Sequence, residues 1–377
     1  MGGTPYRGPV EPAQHDVATT RTAPPAVRET RRTRTARLFD RVVPAPLRFL
    51  VLLALVMCAA TALVTRWQDL PVRDPDNGLG PSWVRLPLIL LAAVLIDVVP
   101  RMVLRARRGV GASAAVRQVL VERWPRAQVQ FSLLGLASWY LTYVAFRNLK
   151  SAVPFVNDRL WDHKFETWDK ILWLGHYPGQ VLHDLVGTGW AATFFAIVYV
   201  LWIGLIPASL AWALAWTRNH VVAAWYITAL ALDWALGVTA YYLFPTLGPI
   251  YSRAGDFAAL PESATQLQQT MIDDRVAVLN GPHAVDTLQT IAAFPSLHVG
   301  MMMTLCLLVH WNTRNRIART LSWLMLGLTV LATIYLGWHF FVDVIGGAAV
   351  GALAAWLGGL VIGPRQRART SGAPPSE

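Results

Sequence analysis

The chain has 377 residues, 54% of them hydrophobic and only 15% charged, with 17 Trp, a mean hydropathy of +0.40 and a net charge of +11. Soluble globular chains carry about 25% charged residues, so this composition excludes a cytosolic enzyme and speaks against a nucleic-acid partner despite the positive charge. The two cysteines, Cys58 and Cys306, lie in apolar runs, which excludes a disulfide framework or a cysteine-based metal site.

Residues 1–44 are rich in Pro, Thr and Arg and contain no apolar run. They read as a disordered basic tail and not as a signal peptide, whose apolar core would come near the start. Apolar runs of the roughly 17–25 residues needed to cross about 30 Å of hydrocarbon then recur at about 47–65, 86–103, 129–146, 189–214, 221–244, 296–311, 319–338 and 340–362. The expectation is an all-α polytopic membrane bundle of about eight spans. Two extra spans and a basic loop would fill 45–128, a six-span core 129–363, and a short tail 364–377.

Orientation follows from the cations. Of the 33 Lys and Arg, 23 fall in residues 1–48, 101–128, 217–220, 312–319 and the C-terminal tail, leaving 10 for the loops at the other helix ends. The positive-inside bias puts both termini in the cytoplasm. Loops 66–85, 147–188 and 245–295, and the turn near 339, then lie on the opposite side. Within the second of these loops, Trp161, Phe165, Trp168, Ile171 and Leu172 recur at helical spacing and predict an interfacial amphipathic helix.

Two segments on that outer side carry chemistry. In Phe294-Pro295-Ser296-Leu297-His298, Ser296 suits a helix cap, and the unpaired N–H groups behind it form an anion site with His298 in the first turn. Taken alone, the same residues suit an ordinary cap followed by an interfacial His. In Trp338-His339-Phe340-Phe341-Val342-Asp343, His339 and Asp343 are four apart and share a helix face. A carboxylate inside an apolar span is expensive and marks a candidate functional site; bonded to one imidazole nitrogen, it fixes the tautomer and frees the other as base or nucleophile. A purely structural His–Asp lock fits as well. Together the segments say more, because the chain descends after His298 and climbs back to the same outer level at His339. Two imidazoles, a carboxylate and an anion site suit phosphoryl transfer.

These paired motifs resemble the type 2 phosphatidic acid phosphatase superfamily. Leu297 within the first segment, and the His-Phe-Phe-Val-Asp-Val-Ile-Gly-Gly run that begins at His339, resemble its inositol phosphorylceramide synthase-like branch. The resemblance implies that His339 is the nucleophile, Asp343 its orienting partner and His298 the general acid and then base. It implies an integral-membrane lipid phosphotransferase of the inositol phosphate type, working through a phosphohistidine. With water as acceptor, the same machinery would be a lipid phosphate or polyprenyl (pyro)phosphate phosphatase. Its substrates would be a phospholipid or polyprenyl phosphate among membrane lipids, and no cofactor or metal is required.

The departures matter too. Ala332 and Thr333 stand where the family has Ser-Arg, and the first motif of the family is absent in standard form. Another cation must therefore neutralise the phosphate. Arg253, in the stretch after the 221–244 span, is the first choice, with Arg147 and Lys150 second and Ser296 as a further phosphate contact. Asp97 and Asp233, inside spans, read as structural partners of a Tyr, a Trp or a backbone donor. Gly346, Gly347 and Gly351 read as close helix packing. A transporter with a His/Asp relay is the competing class, but it would show duplicated halves and midplane sites, and the sequence has no internal repeat. The oligomeric state is not fixed by the sequence.

Overall fold

The computed structural model describes residues 1–3, 42–75 and 81–362. The two tails expected over 1–44 and 364–377 thus fall almost wholly outside the described residues. Everything regular among the described residues is helical. In chain order the main helices are α1 (Arg48–Trp67), α2 (Ser82–Arg107), α3 (Ala112–Arg123), α4 (Arg126–Val156), α5 (Asp162–Leu172), α6 (Pro178–Val186), α7 (Trp190–Ala215), α8 (His220–Leu243), α9 (Glu262–Asn280), α10 (Leu297–Asn312), α11 (Arg316–Tyr335) and α12 (Phe341–Ile362).

Seven of these, α1, α2, α4, α7, α8, α11 and α12, are long and apolar enough to cross a membrane, and the chain is an integral membrane protein. The eighth expected span is α10, and it is shorter: its 16 residues reach roughly 24 Å at 1.5 Å per residue. It begins within one residue of the expected 296, directly after the non-helical stretch 281–295. That segment is pinned where Ala293 N–H donates to the Thr246 carbonyl (3.0 Å) and Phe294 N–H to the Thr246 hydroxyl (2.8 Å).

Polar caps set several starts. The Asn219 carboxamide accepts from Val221 and Val222 N–H at the head of α8, and Asn315 accepts from Ala318 N–H at the head of α11. Helix α8 is hydrophobic on all sides, as a fully surrounded helix should be, and packs against α4, α10 and α12. Helix α11 joins α10 to α7, and α2 leans on α7 and α3.

The α10–α12 contact fixes the site. A Cβ on Gly347 would fall 2.2 Å from the Ser296 carbonyl oxygen, and one on Gly351 would fall 2.1 Å from that of Gly300. Only glycine lets these two backbones meet, so the glycine pattern is packing inside this chain.

Candidate active site

Helix α10 delivers the first motif. Ser296, fully buried, accepts from Val299 N–H with its hydroxyl (3.5 Å), so the residue is the expected cap and its oxygen is already engaged. Its own N–H donates to the Asp343 carbonyl (3.0 Å), which ties the start of α10 directly to the start of α12. His298 follows in the first turn. Its ring lies against Tyr199 and Trp202 of α7, with centroids at 4.7 and 4.2 Å.

The turn between α11 and α12 delivers the second. Trp338 and His339 N–H both donate to the Thr333 carbonyl, while the Thr333 hydroxyl folds back onto Val330 of its own helix (3.0 Å). The position that carries arginine in the family is therefore a buried helix terminus here, without a cation. His339 Nδ1 lies 3.4 Å from Asp343 Oδ2, and His339 Nε2 lies 3.5 Å from His298 Nδ1. Asp343 Oδ2 also accepts from Phe340 N–H (2.9 Å). Asp343 and His339 are buried, at 0% and 6% exposure. Burial, with the Lys150 charge adding to it and the Ala293 carbonyl opposing, pushes the His339 imidazole down to about 3. It is neutral at physiological pH and its lone pair is available.

A cavity of about 20 Å³ adjoins this group, lined by His339, Phe340, Asp169, Tyr177, Arg253 and Asp256 among others. That is room for a water molecule, not for a phosphoryl group, so substrate entry requires side chains around it to move. Arg253 borders the cavity. Its Nε and Nη2 lie 2.6 and 2.5 Å from Asp256, and its guanidinium stacks 3.4 Å above the Tyr177 ring.

Lys150, half-buried on α4, sits over the Tyr241 and Phe146 rings at 5.1 and 5.9 Å, close enough for its charge to act on His339. Arg147, one turn earlier, donates to the Tyr143 hydroxyl (2.8 Å) and lies over that ring. Among the described residues no cluster of His, Cys, Asp or Glu is arranged to hold a metal.

Three residues escaped the sequence reading. Asp169 on α5 accepts from Phe341 N–H (2.7 Å) and Val342 N–H (3.0 Å), capping α12 beside His339. Burial, helped by the Asp343 charge and opposed by those two N–H groups, pushes its carboxyl up to about 6. Asp162 in the same way accepts from Leu247 and Gly248 N–H. The available signal was their spacing of seven, which puts both on one helical face. They turn inward with Phe165, while Ile171 and Leu172 stay exposed, so α5 anchors the site through its acids and keeps an apolar side outward. The third is Arg275 on α9, which donates to Gln289 (3.4 Å), whose own amide donates to the Lys150 carbonyl (2.8 Å).

Two expected structural partners differ. Asp97 meets three arginines, Arg101, Arg123 and Arg218, and Asp233 pairs with the Thr304 hydroxyl (2.8 Å). Arg101 stands four residues after Asp97 on the same helix, a spacing the sequence shows, whereas Arg123, Arg218 and Thr304 come from other elements that periodicity cannot name.

The model of the PAP2 superfamily matches residues 165–357, just over half of the chain. The chain belongs to the PAP2 superfamily. A comparison with curated proteins gave no match, and one with solved structures gave none. Both histidine segments and Asp169 fall inside the matched stretch, whereas Asp162, Lys150 and Arg147 precede it. PAP2 membership brings phosphatase- or phosphotransferase-type chemistry on lipid phosphates.

Proposed function

We propose that the protein is a membrane phosphotransferase that moves a phospho-headgroup, of the inositol phosphate type, from one lipid-borne alcohol to another. The observation that carries this reading is the continuous chain Asp343–His339–His298 at 3.4 and 3.5 Å. With its proton on Nδ1, toward Asp343, His339 presents the Nε2 lone pair on the side of His298. Nε2 bonds to phosphorus as the bond from phosphorus to the leaving alcohol breaks, and protonated His298 gives that oxygen its proton. In the second half, His298 takes the proton of an acceptor hydroxyl, whose oxygen attacks phosphorus and releases His339.

The imidazole gains positive charge as the N–P bond forms, and Asp343 stabilises that charge. Phosphoryl transfer is otherwise a matter of holding negative charge in place. Lys150 and Arg253 are the cations we assign to that task, with Arg147 behind Lys150 and Ser296 holding the helix start. Leu297 supports the transferase reading. It fills a notch on α8 so tightly that a Cβ on Gly237 would lie 2.6 Å from its methyl carbon. Both termini in the cytoplasm and a site on the opposite face remain part of this proposal, on the cation distribution.

The test is to supply ³²P-labelled phosphatidylinositol and a lipid alcohol to the purified protein. Labelled product lipid supports transfer, whereas label released only as water-soluble phosphate sinks the transferase reading in favour of a phosphatase. An acid-labile, alkali-stable label on the protein, absent in His339→Ala, supports the intermediate.

A further inference from the structure

At the end of the bundle away from the histidines lies a second charged group that the chemistry above does not use. On α4, Arg126 and Lys150 are 24 residues apart, so at 1.5 Å per residue they stand roughly 36 Å from each other, a bilayer's thickness. Asp97 of α2 is buried there, at 3% exposure. Arg123 of α3 grips it with two bonds, Nη2 to Oδ1 at 2.6 Å and Nε to Oδ2 at 3.0 Å. Arg101 reaches Oδ1 at 2.6 Å, and Arg218, just before α8, reaches Oδ2 at 3.4 Å while donating to the Arg123 carbonyl. Nearby, Glu122 is taken by Arg105 (2.6 Å).

The charges do not balance. Residues 97–126 hold seven arginines and two acids, and Arg218 adds an eighth cation. The three guanidiniums on Asp97 have five N–H donors each, and one carboxylate takes only a few of them. Their side chains are 26–45% exposed, so the protein does not enclose all the remaining donors. Trp216 and Trp212 meet edge to face nearby, the Trp216 indole N–H donating to the Ala93 carbonyl. Such aromatic rings mark the headgroup zone.

We infer that Asp97 gathers Arg101, Arg123 and Arg218 into a binding site for the phosphate of an anionic phospholipid in the membrane leaflet at this end. One carboxylate orients three guanidiniums without neutralising them, and a lipid phosphate supplies the missing anion in the fork geometry that arginine favours. The site is independent of the transferase reading.

The full-length protein, reconstituted with equal amounts of dioleoyl phosphatidylglycerol and dioleoyl phosphatidylcholine, is released into native mass spectrometry and its retained lipids counted. The expected result is strong preference for phosphatidylglycerol. Arg101→Gln with Arg218→Gln, which leaves Arg123 on Asp97, should weaken it about 25-fold, roughly five-fold for each arginine near the surface. Arg314→Gln with Arg316→Gln removes equal charge from exposed positions beyond the same end of α10, and should weaken it less than about five-fold. Equal losses in the two pairs would overturn the site in favour of general basicity. Equal retention of the two lipids by the wild type overturns it without any variant.

Discussion

Asp343 and Asp97 are both buried carboxylates in apolar helices, and their neighbours make them opposites. Asp97 is met by three guanidiniums at 2.6–3.4 Å, a pairing complete before any substrate arrives. Asp343 faces a neutral imidazole across a long 3.4 Å contact, accepts one backbone N–H, and has an Oδ1 with no hydrogen-bond partner among the described residues. In the proposed mechanism its electrostatic needs are met only when His339 becomes cationic, as it would while bonding to phosphorus. An interaction stronger in the transition state than in the ground state is one that accelerates a reaction. On that proposal, partner charge, not burial, separates the structural acid from the one assigned to catalysis.

The sharpest tests strip the histidine end. His339→Ala removes the proposed nucleophile and should cut turnover by about 10⁴-fold or more, read as product lipid formed by protein that still elutes as folded. Asp343→Asn keeps the shape but loses the charge and the tautomer preference, and a loss approaching about 10⁴-fold is expected, as for the orienting acid of other catalytic histidines. His298→Ala should cost about 10²–10⁴-fold. Leaving alcohols of low pKa need no proton, so an activated aryl phosphodiester should recover much of the His298→Ala loss and none of the His339→Ala loss. Near-normal turnover in His339→Ala would break the comparison.

How much of this was legible in the sequence depends on what kind of contact each feature makes. The spans are composition, and seven of the eight expected runs are long apolar helices. His339 and Asp343 are four residues apart, so their meeting is a property of one helix start. His298 joins them because α10 and α12 touch at Gly347 and Gly351, and that glycine pattern was readable as packing. For Asp169 the spacing from Asp162 shows only a shared helical face, and for Arg275 nothing local helps, because the partners of both lie in other helices or loops. Asp97 was half legible: an acid in a span needs a partner, but nothing local names Arg123 or Arg218.

Asp97→Asn is the counterpart test at the arginine end. It leaves three arginines without their shared acid, although those side chains are partly solvated and recover some hydration. A cost of about 2 kcal/mol is expected, below that of breaking a fully buried pair, seen as a melting point lower by several degrees with turnover per folded molecule unchanged. A turnover loss comparable with Asp343→Asn would mean that the two acids are not opposites after all.

The smallest effect is the most discriminating for the cations. Burial holds His339 at about 3, and the Lys150 charge contributes to that depression. A protonated imidazole has no lone pair for phosphorus, so activity falls as pH drops through the His339 pKa. Lys150→Met removes the charge while keeping the bulk over Tyr241 and Phe146. The His339 pKa must then rise, though not beyond the ordinary imidazole value of about 6.5, because burial is the larger cause. The acid limb of kcat/KM should therefore move upward in Lys150→Met. Asp169 also titrates in this range, at about 6, and protonation there loosens its hold on Phe341 and Val342 in both proteins alike. The difference between the two profiles thus isolates Lys150. Coincident acid limbs, with an unchanged KM for the donor lipid, would remove Lys150 from the site and leave Arg253 as the cation facing the phosphate.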